Sequence, residues 1–189
     1  MGRARTDGDE PSRYGNPTSA TFWQLVREDY RAHGSDWTSP GFRALFVHRF
    51  GNWRMGVRPR AARIPLSVLY RMLFRRVRDR YGIEIDFSTR LGRRVVVDHH
   101  SGIIVSGYAT IGDECRLRQN VTIGIRAAGE TLAPVLGRGV DLGAGAVLLG
   151  PITIGDAAVV GANAVVLIDV PAGALAVGVP ATIRSRGTS

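Results

Sequence analysis

The chain's four histidines are His33, His48, His99 and His100, and two of them are adjacent. The pair lies in VVVDHHSG (95–102), where one acid and two imidazoles interrupt an aliphatic run. One reading is a solvated turn. The other is general-base chemistry: an imidazole takes the proton of a hydroxyl as that oxygen attacks a thioester. A carboxylate on the other ring nitrogen would fix the tautomer and stabilise the imidazolium. Asp98, Glu84, Asp86 and Glu114 are the candidate acids. Successive residues of a strand face opposite ways, so His99 and His100 cannot share one role.

What must position these residues is a repeat. Aliphatic side chains recur every six residues at Ile85, Leu91 and Val97, at Val105, Ile111, Leu117 and Ile123, and from Leu136 to Val166. The two breaks, 97 to 105 and 123 to 136, flank the histidine pair's segment and a longer loop. Gly often follows the aliphatic residue, and a small or branched residue follows four later, as at Val121, Ala146 and Ala158. A step of six predicts three short strands per 18-residue coil, each sending one side chain inward, with Gly at the corners. Stacked coils then bury continuous apolar ladders, and such a stack needs a cap. Thirteen ladder positions make a little over four coils. Glu84, 15 residues before His99 and so three short of a coil, is a candidate neighbour on the preceding coil. A zinc site would need histidines on different coils, and the repeat holds only the adjacent pair, so no metal is expected.

The cap is expected upstream. Residues 20–81 carry all three Trp and read as helices over 22–34, 40–56 and 64–82, the last with Leu66, Leu69, Leu73 and Val77 on one stripe. Residues 1–19 read as a disordered tail, 82–170 as the repeat, and 171–189 as an extension, with 170–183 folding back along the outside. The net charge is +9 and the pI near 11.0, which favours anionic partners. A single cysteine, Cys115, suits a reducing compartment. With no signal segment or apolar span in the sequence, a cytoplasmic protein is expected. Aromatics do not interleave with the basic residues, so nucleic acid is not the expected partner.

At YGIEIDFSTRLGRRVVVDHHSG (81–102), and again at LGAGAVLLGPITIGDAAVVGANAVV through GVPATI (142–183), the sequence resembles the serine acetyltransferase family of hexapeptide-repeat acyltransferases. The likeness covers roughly residues 22–183. It looks closest to the branch associated with exopolysaccharide clusters, which includes colanic acid acetyltransferases. The resemblance implies a mainly β protein, a left-handed parallel β-helix with an N-terminal helical cap, at least a trimer, and acetyl-CoA as donor. It implies His99 as general base, Glu84 as the acid that orients it, and Asp98 and Asp36 as acceptor-binding acids. It implies a coenzyme A groove between subunits, along Gly143, Ala144, Gly161, Ala162 and the Gly178–Pro180 loop, with Arg126 and Arg118 near the phosphates. The glycines have an equally good reading as corners.

One departure bears on the acceptor. Where the family has an Arg-His pair that holds serine, this chain has Leu132 and Ala133. No arginine there pairs a substrate carboxylate, so a sugar hydroxyl of an exopolysaccharide precursor gains weight beside L-serine. The missing pair also leaves open a non-catalytic scaffold. The basic stretch RMLFRRVRDR (71–80) reads as a solvated helix face or as a weak contact with anionic lipid.

Overall fold

The computed structural model describes residue 17 and residues 19–185. The tail expected over 1–19 lies almost wholly outside the described residues.

Three helices precede the strands. Helix α1 (Phe22–Ala32) opens on a capping box: the Thr21 hydroxyl accepts from the Gln24 N–H, and the Gln24 side chain accepts from the Thr21 N–H. Helix α2 (Pro40–Trp53) starts at Ser39, whose hydroxyl accepts the Phe42 N–H, with Pro40 at its first position. A 3-10 turn over Arg54–Gly56 follows. Helix α3 (Arg63–Tyr81) stops at Gly82, which takes the left-handed conformation at φ +62°. The expected stripe of α3 holds at Leu73, which packs against the core, and at Val77, but not at Leu69. Tyr70 and Val77 are buried, while Leu69 faces outward. The cause is the Tyr70 ring, which packs edge-on against Phe87 at 5.6 Å and beneath the Arg54 guanidinium.

From Ile83 the chain winds into a parallel β-solenoid of about five turns, the expected left-handed β-helix. The first coil holds β1 (Ile83–Ile85), β2 (Arg90–Leu91) and β3 (Val96–Val97). The second holds β4 (Ile103–Val105), β5 (Thr110–Ile111) and β6 (Arg116–Leu117). The third holds β7 (Thr122–Gly124), β8 (Val135–Leu136) and β9 (Asp141–Leu142). The fourth holds β10 (Val147–Leu149), β11 (Thr153–Ile154) and β12 (Val159–Val160). Strand β13 (Val165–Val166) begins the fifth, and each strand pairs in parallel with its counterpart one coil away. Each of β1–β13 contains one ladder residue, none more than 4% exposed. The row four residues later forms the corners of the core. Cys115 belongs to it: the side chain is buried, burial pushes its thiol up to about 12, and the thiol donates to the Gly137 carbonyl.

Stacking runs past residue 170. Val170 bridges Ile154, and β14 (Leu175–Gly178) pairs in parallel with β12. The fold-back is confined to β15 (Ala181–Arg184), which is antiparallel to β14.

A buried ion pair docks the helices on the first coil. The Arg49 Nε donates to the Asp29 carboxylate at 2.9 Å, joining α2 to α1, and both side chains are inaccessible. The same guanidinium donates to the Leu91 carbonyl at 2.9 Å and the Gly92 carbonyl at 2.6 Å. Beside it, the His48 Nε2–H donates to the Thr89 carbonyl at 3.1 Å, and among the described residues His48 Nδ1 has no hydrogen-bond partner. Burial, helped by the Arg49 charge, pulls the His48 imidazole from 6.5 to about 3. The unfolded chain therefore binds this proton below pH 6.5, and the folded chain does so only near 3. The contribution is intact above pH 6.5 and is lost as pH falls toward about 3. Urea midpoints measured across that window should fall by about 1.4 kcal/mol of stability per pH unit from this group. His48→Phe should remove that part of the slope.

Candidate active site

The first break in the repeat is a bulge, Asp98–Gly102, between β3 and β4. His99 takes φ +65° and Ser101 φ +98°, conformations that L-residues adopt at a cost of roughly 1–3 kcal/mol. Neighbours on both sides hold the bulge. The Ser101 N–H donates to the Tyr81 carbonyl at 2.8 Å, and the Ser101 carbonyl accepts the Asn120 N–H at 2.9 Å. The Ile103 N–H donates to the Gly82 carbonyl at 3.0 Å.

The helical cap completes the site. The His33 Nε2 accepts the Val97 N–H at 3.1 Å, so the His33 proton sits on Nδ1, which donates to the Asp29 carbonyl at 2.7 Å. This ring ties the end of α1 to the strand that leads into Asp98. Gly41 brings α2 equally close: a Cβ there would stand 2.2 Å from the Val97 carbonyl oxygen. Between the cap and the coil lies a cleft of about 300 Å³, lined by His33, Ser39, Val97, Asp98, His99 and Arg116.

His99 and Asp98 share this cleft. Arg116, on β6, is ion-paired to Asp98. Glu84 is exposed on β1 beside Ile104, and among the described residues no hydrogen bond joins it to His99. The bulge carrying His99 closes onto Tyr81 and Gly82, just before Glu84. His100 points elsewhere, its ring edge-on to Tyr81 at 6.2 Å. Asp36 lies three residues before Ser39, with its carboxylate accepting both the N–H and the hydroxyl of Thr38. Those hydrogen bonds hold it below the usual carboxylate range.

The residues expected to meet coenzyme A lie along the later coils. Gly143 is filled by the coil above, since a Cβ would come within 2.5 Å of the Ala162 nitrogen. Gly161 meets Val177 in the same way. Ala144 is half-buried, while Ala162, Gly178 and Pro180 are exposed, with Gly178 at φ +102° in the β14–β15 turn. Arg126 donates to the Leu167 carbonyl at 3.0 Å along one outer corner, and Arg118 is ion-paired to Asp141. In the loop at the second break, Leu132 is exposed and Ala133 is buried against the core. Among the described residues, no cluster of three His, Cys, Asp or Glu side chains could hold a metal ion. No helix of the structure is long and apolar enough to cross a membrane.

Sequence reasoning passed over His33, Ser39 and Arg116. The first two reach the site only through tertiary packing. Arg116 had a signal, since it stands 18 residues after Asp98, the length of a regular coil. Strand pairing in fact aligns it with Val96, because the bulge lengthens that coil by two residues, and its side chain spans the offset to Asp98.

No family model matches the sequence. A serine acetyltransferase from Synechococcus elongatus is 38% identical over 154 residues, 78% of this chain and 58% of that protein. The chain thus spans somewhat under two thirds of that relative's length. The putative colanic acid biosynthesis acetyltransferase WcaB of Escherichia coli K12 is 39% identical over 120 residues, 64% of this chain and 72% of that protein. The solved serine acetyltransferase of Brucella abortus in complex with coenzyme A superposes with a TM-score of 0.73 at 26% identity, over 88% of this chain and 69% of that one. On these identities and this shared fold, the chain belongs to the serine acetyltransferase family of hexapeptide-repeat acyltransferases.

Proposed function

We propose that the protein is an acetyl-CoA-dependent O-acetyltransferase in which His99 is the general base. The observation that carries this reading is His99 itself: a strained residue at the rim of a cleft, in a bulge whose following residues Ser101 and Ile103 are held by Tyr81, Gly82 and Asn120. The imidazole takes the proton of the acceptor hydroxyl, and the oxygen attacks the thioester carbonyl. The carbon–sulfur bond breaks, and the proton passes from the imidazolium to the departing thiolate. The products are an acetyl ester and free coenzyme A. Glu84 orients the imidazole through a hydrogen bond that forms on substrate binding. The donor lies along the later coils, against Ala144, Ala162, Gly178, Pro180 and Arg126, in a homotrimer whose neighbouring subunit supplies the other wall.

The acceptor reading rests on Arg116. Asp98 would meet an ammonium group if it were free, but Arg116 already occupies it. Leu132 and Ala133 offer no cation to a carboxylate. Both features disfavour an amino acid and favour a hydroxyl on an uncharged ring, such as a sugar. Asp36, three residues before Ser39 of the cleft wall, joins the acceptor site once Thr38 releases it.

A thiol-release assay with acetyl-CoA over sugar acceptors, homoserine and L-serine tests this. Sugars should give the higher kcat/KM. Turnover of L-serine above every sugar overturns the acceptor reading. No thiol release with any acceptor, together with no coenzyme A binding by titration calorimetry, overturns the enzyme reading in favour of a scaffold. Light scattering at the mass of a monomer overturns the trimer.

A further inference from the structure

A second cleft, of about 390 Å³, opens at the start of α3, remote in sequence from the DHHSG bulge. Its walls include Arg54, Arg60, Arg63 and Arg71, with Ile64 at the side and no acid among the lining residues. Arg54 is its base. This side chain is only 8% exposed, lies over the Tyr70 and Phe87 rings, and donates to the Ser67 hydroxyl at 3.1 Å. Its Nε is buried without a hydrogen-bond partner among the described residues. Among the described residues, none of these four arginines makes an ion pair. A guanidinium withdrawn from water with a donor unmet is costly, and a phosphate oxygen is the acceptor that such a group pairs best.

The rim of this cleft continues into an apolar stripe. Tyr70 and Val77 bury one side of α3, and Ile64, Val68 and Met72 recur at steps of four on the opposite side. Ile64 is 67% exposed and Met72 59%. One turn on, Arg75 and Arg76 are exposed. The acid of this helix, Asp79, is taken by Arg78 at 2.9 Å. A second copy of the chain placed symmetrically here would set arginine against arginine. A surface that is anionic outside and apolar just beneath matches both parts.

We propose that the outer face of α3 docks on an anionic lipid bilayer, with a lipid phosphate in the Arg54–Arg71 cleft and Ile64, Val68 and Met72 in the acyl boundary. The helix lies along the interface. This proposal is independent of the acetyl-transfer reading.

The test is flotation of the full chain with phosphatidylcholine vesicles, with and without phosphatidylglycerol. Binding should require phosphatidylglycerol. Arg60→Gln with Arg71→Gln should weaken partitioning about twenty-five-fold, at roughly five-fold per cation near an anionic surface. Val68→Ser with Met72→Ser should weaken it by at least about ten-fold. Unchanged circular dichroism keeps both variants interpretable. Absence of flotation with phosphatidylglycerol overturns the proposal. So does binding that survives loss of Val68 and Met72 and is displaced by inorganic phosphate, which marks a site for free phosphate. If the Val68 and Met72 replacements lower the particle mass by light scattering while flotation is unchanged, the face is a subunit contact and the proposal is likewise overturned.

Discussion

His99→Ala is expected to lower kcat by roughly 10²–10⁴-fold, the range that a positioned general base supplies. The position makes a sharper experiment possible. Because His99 sits at φ +65°, alanine changes two things, the imidazole and the tolerance of that backbone. Asparagine accepts the left-handed conformation more readily than other non-glycine residues, and it cannot serve as a base. His99→Asn should therefore lose as much activity as His99→Ala while keeping the bulge intact. The KM for acetyl-CoA should change little in either variant, since the donor is proposed to lie along the later coils. If His99→Asn stays within about tenfold of wild type, the position matters for its backbone alone and the base lies elsewhere.

Arg49→Met should be the most damaging single replacement for stability, at about 3–5 kcal/mol. The methionine fills similar space. It leaves the Asp29 carboxylate buried with its cation gone, and it strips a donor from the Leu91 and Gly92 carbonyls. Burial already raises the Asp29 carboxyl against the pull of Arg49. Without that pull the carboxyl rises further, so protonation relieves the variant as pH falls. The deficit should therefore be smaller in acid than at neutral pH. Replacing Asp29 by leucine in the same chain should recover much of the loss, as buried pairs exchanged for apolar groups often do. Denaturant midpoints of the two variants at two pH values measure both effects. A single-variant cost under about 1 kcal/mol would mean that the helices dock mainly by apolar packing.

The solenoid was legible because its physics is one-dimensional. An inward side chain must recur at each strand, so Ile85, Leu91 and their successors mark the coils directly. The corner row was equally open, from Val121 to Ala164. The docking of the cap was not. Arg49 reads in the sequence as one of many surface arginines, and only the fold places it among Asp29, Leu91 and Gly92. His33 was visible as an imidazole, but its bond to the Val97 N–H joins residues 64 apart. The turn after residue 170 escaped for a different reason. Val170 sits beside Ile154 and Ala176 beside Val160, a shorter step than the repeat before it, so a search at six passes over them. On α3 the one misplaced position, Leu69, gives way to the Tyr70 ring, a choice that spacing alone does not make.

Cys115 has a practical consequence for every acetyl-transfer rate measured on this protein. It is the single cysteine of the chain, it fills a core corner, and its thiol is held up to about 12. A chromogenic disulfide reacts with thiolates that it can reach, and the folded protein presents none. Each equivalent of colour in an acetyl-transfer assay is therefore coenzyme A released, with no protein blank to subtract. The same silence becomes a gauge of integrity: in a destabilised variant such as Arg49→Met, a slow extra equivalent of colour per chain would time the opening of the solenoid.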